Sequence, residues 1–357
     1  MRSVTTAVDV LVVGLGPAGA CAAAEAARGG ARVVAIDRKS EAGMPVQCAE
    51  FVPRLIGMEV GELIGARCQD ITSMTTFLDR TGPHVQDRFP GVMIDRVRFD
   101  AALVEEARDA GAALRLGVNV RGFDDDGAAV LSDGSRVGAR VIVGADGPRS
   151  VVGKAVGAEN SEIAETRQMQ VPLLEPFEAT DIFLSSAIPG GYAWLFPKDD
   201  VANLGVGIAS TWRADLKPLL AALHEELVSE GRVGREVISH TGGAIPVGGM
   251  RRLVSQLGAA TVLLAGDAAG LTNPVTGAGI TSAVISGRLA GEAAAKAARG
   301  FADAADDYAD EIVALYGSSL ARALERRAEL LAAYTEGRTP TAAELKRGWI
   351  AFPEYWA

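Results

Sequence analysis

Apolar positions along the chain follow two rhythms. Residues 10–13, Val-Leu-Val-Val, form a short and wholly apolar run, the pattern of a strand buried on both faces of a parallel sheet. A Gly-rich turn follows, then an Ala-rich stretch over 18–28 that reads as a helix and stops at Gly29-Gly30. Residues 32–36 make a second apolar strand ending at Asp37, which completes a compact βαβ unit. Two further apolar runs, 141–143 and 262–264, lead into the turns Gly144-Ala145-Asp146-Gly147 and Gly266-Asp267. The periodicity predicts helices over 98–110, with Phe99, Leu103, Val104 and Ala107 on one side, and over 279–298.

The texture changes between Met169 and Ile245. Residues 168–174, 180–186, 192–197 and 203–209 read as β-rich segments separated by turns. After Gly300 the chain is helical and charged, with an aromatic end at Trp349, Phe352, Tyr355 and Trp356. The expected organisation is an α/β protein. Residues 1–167 and 246–300 form one doubly wound domain, 168–245 an inserted β-sheet substrate domain, and 301–357 a helical C-terminal segment.

Composition narrows the partners. A chain of 357 residues with 48% hydrophobic and 22% charged positions is long enough for a large packed core. Its formal net charge of -10 argues against nucleic acid and gives no attraction to an anionic membrane. Three cysteines (Cys21, Cys48, Cys68) with no CxxC suggest a reducing compartment and no metal site. The apolar stretch 8–27 is interrupted by Asp9, Gly14, Gly16, Pro17 and Gly19, so it reads as strand-turn-helix rather than an export signal. No other apolar stretch reaches membrane-spanning length, and a cytoplasmic location is expected.

Three segments carry chemistry. In Gly14-Leu15-Gly16-Pro17-Ala18-Gly19, the first glycine allows a tight turn, the second lets a pyrophosphate approach the backbone, and the third lets helix and strand pack closely. Asp37 stands where a carboxylate binds ribose hydroxyls, and Arg38 beside it joins the cofactor set. This motif suits NAD as well as FAD. The second segment, from Gly266-Asp267 through Pro274 to Gly277-Ala278-Gly279, favours FAD. A carboxylate at Asp267 meets the ribitol, and backbone N–H groups at 277–279 face the flavin edge where charge builds on reduction. The third segment contributes Asp146, and Arg96 precedes the helix beginning near Phe99. The competing readings are packing turns for the glycines and a solvated cation for Arg96.

Together the three segments resemble the flavoproteins related to aromatic hydroxylases, in which one Rossmann-like unit holds FAD. Within that superfamily, 189–197 (Pro-Gly-Gly-Tyr-Ala-Trp-Leu-Phe-Pro), 242–249 and Gln47-Cys48-Ala49-Glu50 resemble the geranylgeranyl reductase family. Ala49 departs from the glycine that this family often has there. The resemblance implies non-covalent FAD, NAD(P)H or a ferredoxin as electron donor, and reduction of C=C bonds in an apolar polyprenyl chain. Strand alternation puts Tyr192, Trp194 and Phe196 on one face, as a wall for such a chain or as simple sheet packing. Cys48 and Glu50 are the candidate proton donors by loop position, Cys48 also lying near the flavin. The aromatic end, 349–356, is a candidate for peripheral membrane contact, with docking on the protein's own surface as the alternative. A flavin monooxygenase shares all three FAD segments, and a non-catalytic flavin-binding protein is the remaining alternative.

Overall fold

The computed structural model describes residues 5–61, 65–79 and 81–357. Strand β1 (Thr5–Val13) lies at the centre of a mostly parallel sheet, between β2 (Val33–Asp37) and the strand Arg136–Gly144. Ala113–Leu116 continues the sheet on one side, and Ala260–Leu264 followed by antiparallel Val254–Leu257 on the other. Val10, Leu11 and Val12 are fully buried, as the continuous apolar run requires.

Helix α1 (Pro17–Arg28) packs along the helix Ile280–Ala298. Both are built from Ala, Gly and Ser where they meet, so their backbones come unusually close. A Cβ on Gly287 would lie 2.2 Å from the Ala18 carbonyl oxygen, and one on Gly291 would lie 2.4 Å from that of Ala22. This contact joins the N-terminal βαβ unit to the 266–298 segment.

The second sheet runs in the order Ser239–Thr241, Ile163–Pro172, Val201–Ala209, Tyr192–Lys198, Ala179–Leu184, Ser73–Leu78, Thr81–Gln86. It begins earlier than the insert read from sequence and takes two strands from the N-terminal segment. Ser73–Leu78 alternates in burial, with Met74, Thr76 and Leu78 inside. Its neighbour Ala179–Leu184 is about a hundred residues away in sequence, and pairing at that distance leaves no local signal. The region read as wholly β-rich also holds the helix Leu216–Ser229. Its buried Leu216, Leu220 and Leu227 cover one face of the sheet together with Met169, Leu195 and Leu204.

The other face of this sheet meets the C-terminal tail. A 32-residue helix, Ala304–Thr335, leads to Ala342–Arg347, which a Thr341/Glu344 capping box starts. Trp349, Phe352 and Tyr355 are buried, and Trp349 and Phe352 join the cluster formed by Trp194, Phe196 and Met74. Buried Arg326 donates from Nε to the Tyr355 carbonyl and pins the end of the chain. Trp349 and Phe352 therefore dock on the protein's own sheet, where Leu330 and Val275 also pack. Trp356 alone of the four is exposed, with Arg322 over its ring. Among the described residues no helix is long and apolar enough to cross a membrane.

The helix contact sets a stability test. Gly287→Val forces a side chain into the Ala18 carbonyl and should cost about 3 kcal/mol, the upper end for overpacking. Gly317→Ala in the helix Ala304–Thr335 meets only ordinary contact, 3.5 Å from Val313, and should instead stabilise by about 0.5–1 kcal/mol. Urea unfolding of both variants checks the opposite signs.

Candidate active site

A single cavity of about 1710 Å³ opens at the C-terminal ends of the parallel strands and extends under the second sheet. Residues from all three predicted segments line it, among them Gly14, Gly16, Pro17, Ala18, Asp37 and Arg38 of the first and Asp267, Pro274, Gly277, Ala278 and Gly279 of the second.

The three glycines of the first turn do three different things. Gly14 has φ +94° and sits so close to Ala145 that a Cβ would lie 2.3 Å from its carbonyl oxygen. A Cβ on Gly19 would lie 1.8 Å from the Gly14 oxygen. A Cβ on Gly16, by contrast, would meet nothing within 4 Å, because it points into the cavity at the N-terminus of α1. That open cradle fits the pyrophosphate of a dinucleotide. Asp37 is held by two backbone donors, Leu15 N–H at 2.6 Å to Oδ2 and Lys39 N–H at 2.7 Å to Oδ1. Each oxygen keeps a lone pair for a ribose hydroxyl.

Close to Ala18, Gly266 (φ +57°) turns the chain and Asp267 accepts from Thr272 Oγ1 at 2.6 Å. Enclosure in the protein raises the Asp267 carboxyl above the usual range, against the lowering effect of Thr272. The backbone donors differ in part from expectation. Gly277 N–H is taken up by the Asn273 carbonyl at 2.9 Å and Ala278 N–H by the Thr276 hydroxyl at 3.3 Å. The donors left to a ligand are those at the start of the helix Ile280–Ala298, beginning at Gly279, which helix geometry leaves without partners. Asp146 also departs from its expected part. Its carboxylate accepts from Ser150 Oγ, Val151 N and Val152 N and so fixes the short helix Val151–Ala155, although it lines the cavity.

Arg96 is not a solvated cation. Its guanidinium forms a two-pronged pair with Asp100, both contacts at 2.9 Å, on the cavity wall. Burial opposes its charge, but Asp100 and then Cys48 outweigh this and hold it above its ordinary value. Cys48 is half-buried on the same wall, its Sγ accepting the Glu50 N–H at 3.2 Å. Glu50 has the left-handed φ of +68° and is buried. Its Oε1 accepts from Arg96 N at 3.0 Å, and its Oε2 from Lys198 Nζ at 2.8 Å and Asn203 Nδ2 at 3.0 Å. A carboxylate that accepts from a cation and two amides anchors this loop to its neighbours.

Tyr192, Trp194 and Phe196 do share one face and line the cavity, with ring centroids 5.8 and 6.3 Å apart along the row. Gly205, directly across from Trp194, leaves room for the indole: a Cβ there would lie 2.2 Å from the ring. Tyr192 OH donates to the Thr276 carbonyl at 2.6 Å, which ties the row to the flavin segment. Trp194 Nε1 donates to Gln168 Oε1, and Gln168 Nε2 donates to the Cys48 carbonyl, both at 3.1 Å, which ties the row to the Cys48 loop. Phe51, Phe89, Met74 and Ile182 extend the apolar wall. Sequence reasoning missed Gln168, Lys198, Asn203 and Trp349 as parts of the site, since each is recruited by a contact more than a hundred residues distant in the chain. The alternation of Asn203 and Gly205 opposite Phe196 and Trp194 was the available signal.

The contrast between the glycines is testable. Gly16→Val should leave the flavin-free protein folded and abolish flavin binding, because its side chain occupies only the cradle. Gly19→Val should unfold the domain. Thermal melts and flavin absorbance of both variants separate the two effects.

Residues 164–245 match the model of the geranylgeranyl reductase catalytic domain, and residues 9–50 match that of an FAD binding domain. The digeranylgeranylglycerophospholipid reductase 2 of Methanosphaera stadtmanae is 34% identical over 81% of this chain and 78% of its own length. The digeranylgeranylglycerophospholipid reductase 1 of Methanothermobacter thermautotrophicus is 35% identical over 83% of this chain and 79% of its own length. A geranylgeranyl bacteriochlorophyll reductase-like protein from Thermoplasma acidophilum shares the fold, with a TM-score of 0.82 at 24% identity over 92% of this chain and 88% of the other. The chain belongs to the geranylgeranyl reductase family of FAD-dependent oxidoreductases.

Proposed function

We propose that this protein uses FAD to reduce isolated C=C bonds in the polyprenyl chains of a lipid of the kind its curated relatives are named for, a digeranylgeranylglycerophospholipid. The observation that carries this reading is the continuity of the flavin segments and the aromatic wall in one cavity. An isolated alkene offers no charge, so an apolar slot is the recognition device it needs. Each CH₂ of a prenyl chain contributes about 0.8 kcal/mol on burial, enough for a long chain to bind without polar contacts. The monooxygenase alternative shares the FAD segments but gives no reason for the match of residues 164–245 to the reductase catalytic domain.

Reduced FAD, when bound, supplies the hydride, and the protein does the rest. Gly16 and the N-terminus of α1 would hold the pyrophosphate, Asp37 the adenosine ribose, and Asp267 the ribitol. Tyr192, Trp194 and Phe196 orient the chain and exclude water. Cys48 Sγ is our candidate proton donor: it borders the cavity beside Arg96, whose positive charge compensates the thiolate left behind. Glu50 positions this loop. Electrons arrive from a separate donor, NAD(P)H or a ferredoxin.

The proposal is tested by producing the protein with its flavin in cells that make a digeranylgeranylglycerophospholipid and weighing the extracted lipid. Chains heavier by two hydrogens per reduced bond are expected, and unchanged chains contradict the proposal. Trp194→Ala should weaken chain binding by about 2 kcal/mol, roughly thirtyfold, with the flavin spectrum intact. Cys48→Ala should slow alkene reduction about 10²–10⁴-fold, the range for a lost general acid, while light-driven flavin reduction proceeds as before.

A further inference from the structure

Most buried or half-buried cations here face a carboxylate: Arg96 pairs with Asp100, Lys198 with Glu50, Arg232 with Asp181, Arg326 with Glu329. Arg327 does not. It is 7% exposed on the helix Ala304–Thr335, and its only acceptors are backbone carbonyls, with Nη1 donating to Gly190 at 2.5 Å and Pro274 at 3.4 Å. Its Nε is buried with no acceptor. Among the described residues its Nη2 has no hydrogen-bond partner, and it lies 3.3 Å from where a Gly190 Cβ would stand, on the cavity wall. Burial pushes the group down to about 10, with only exposed Glu162 acting to raise it. An unpaired buried guanidinium is costly, and the fold retains it at the cavity.

Two more cations line the cavity at its rim. A Gly190 Cβ would lie 3.0 Å from Ala209, and the chain continues from Ala209 into Ser210–Asp215 and the helix Leu216–Ser229, carrying Arg213 and Lys217. Both are exposed, both line the cavity, and among the described residues neither has a carboxylate partner. Phe51, Phe89 and Phe196 make an apolar part of the wall. Tyr192 to Phe196 alone spans roughly 13 Å at the strand rise. The cavity thus carries a buried cation without a carboxylate partner beside the start of the aromatic row, inside a protein of net charge -10.

We infer that Arg327, assisted at the rim by Arg213 and Lys217, binds the phosphate head group of the prenyl substrate and thereby fixes which way the chain lies along the aromatic row. This rests on the prenyl-reductase reading above. It makes Arg327 a specificity-determining residue, distinct from the groups that touch the reacting bond. Guanidinium–phosphate contacts are strong and directional, whereas the apolar wall alone cannot tell head from tail.

Calorimetric titration of the oxidised holoenzyme with geranylgeranyl monophosphate and with geranylgeraniol, which share a chain, tests the assignment. The wild type should prefer the monophosphate. Arg327→Met should weaken the monophosphate by about tenfold or more, as expected for a lost charged hydrogen bond, and the alcohol by less than about twofold. The Arg213→Ala/Lys217→Ala double variant lies at the surface and will fold. It should weaken only the monophosphate, by about threefold at low salt and less at high salt. If Arg327→Met fails to retain flavin, this double variant decides. Equal weakening of both ligands, or no change in either, overturns the head-group role and leaves the prenyl reading standing. A wild type with no preference does the same. Inorganic phosphate that binds as tightly as the monophosphate assigns the site to a free anion and overturns the proposal. A wild type that binds neither prenyl compound removes the prenyl reading itself, and this inference with it.

Discussion

One buried carboxylate holds the working parts of this protein in register. Glu50 sits in a left-handed backbone conformation and accepts from the first amide of the helix Arg96–Asp109, from Lys198 and from Asn203. Those three donors belong to the nucleotide-binding domain and to two neighbouring strands of the second sheet. Breaking a buried pair of this kind by removing one partner costs about 3–5 kcal/mol, so the geometry is strongly enforced. With Glu50 fixed, Cys48 two residues earlier stays at the cavity wall beside Arg96. Gln168 then closes the link from the Cys48 carbonyl to Trp194.

The second constraint is the glycine and alanine packing between α1 and the helix Ile280–Ala298. It brings the Gly14–Gly19 turn and the Asp267–Gly279 segment, more than two hundred residues apart, together on one cavity. The Tyr192 hydroxyl reaches the Thr276 carbonyl from the opposite side. The aromatic row is therefore anchored directly to the 266–279 segment. Trp349, 4.7 Å from Tyr192, backs the row from the C-terminal tail.

The nucleotide-binding half was legible because its signals are local. An apolar run followed by glycines and then an alanine-rich helix constrains both backbone and packing within thirty residues, and the structure reproduces that unit closely. The face shared by Tyr192, Trp194 and Phe196 followed from strand alternation alone. What escaped the sequence was long-range. The strands Ser73–Leu78 and Thr81–Gln86 join a sheet formed mostly by residues after 160. The aromatic tail left membrane contact and docking on the protein's own surface both open, because its neighbours, Trp194 and Phe196, lie some 150 residues earlier. The role of Glu50 was also out of reach. Loop position singled it out, but only the folded chain supplies Lys198 and Asn203, which make it a tether between elements.

The central claim is that electrons leave the flavin for an alkene held on the aromatic wall. An anaerobic single turnover tests it most directly: the flavin is reduced by light, oxygen is excluded, and a digeranylgeranylglycerophospholipid is added. The account predicts that the oxidised flavin spectrum returns as the lipid gains two hydrogens per bond. A flavin that stays reduced until oxygen is admitted, and then yields an oxygenated product, would contradict it.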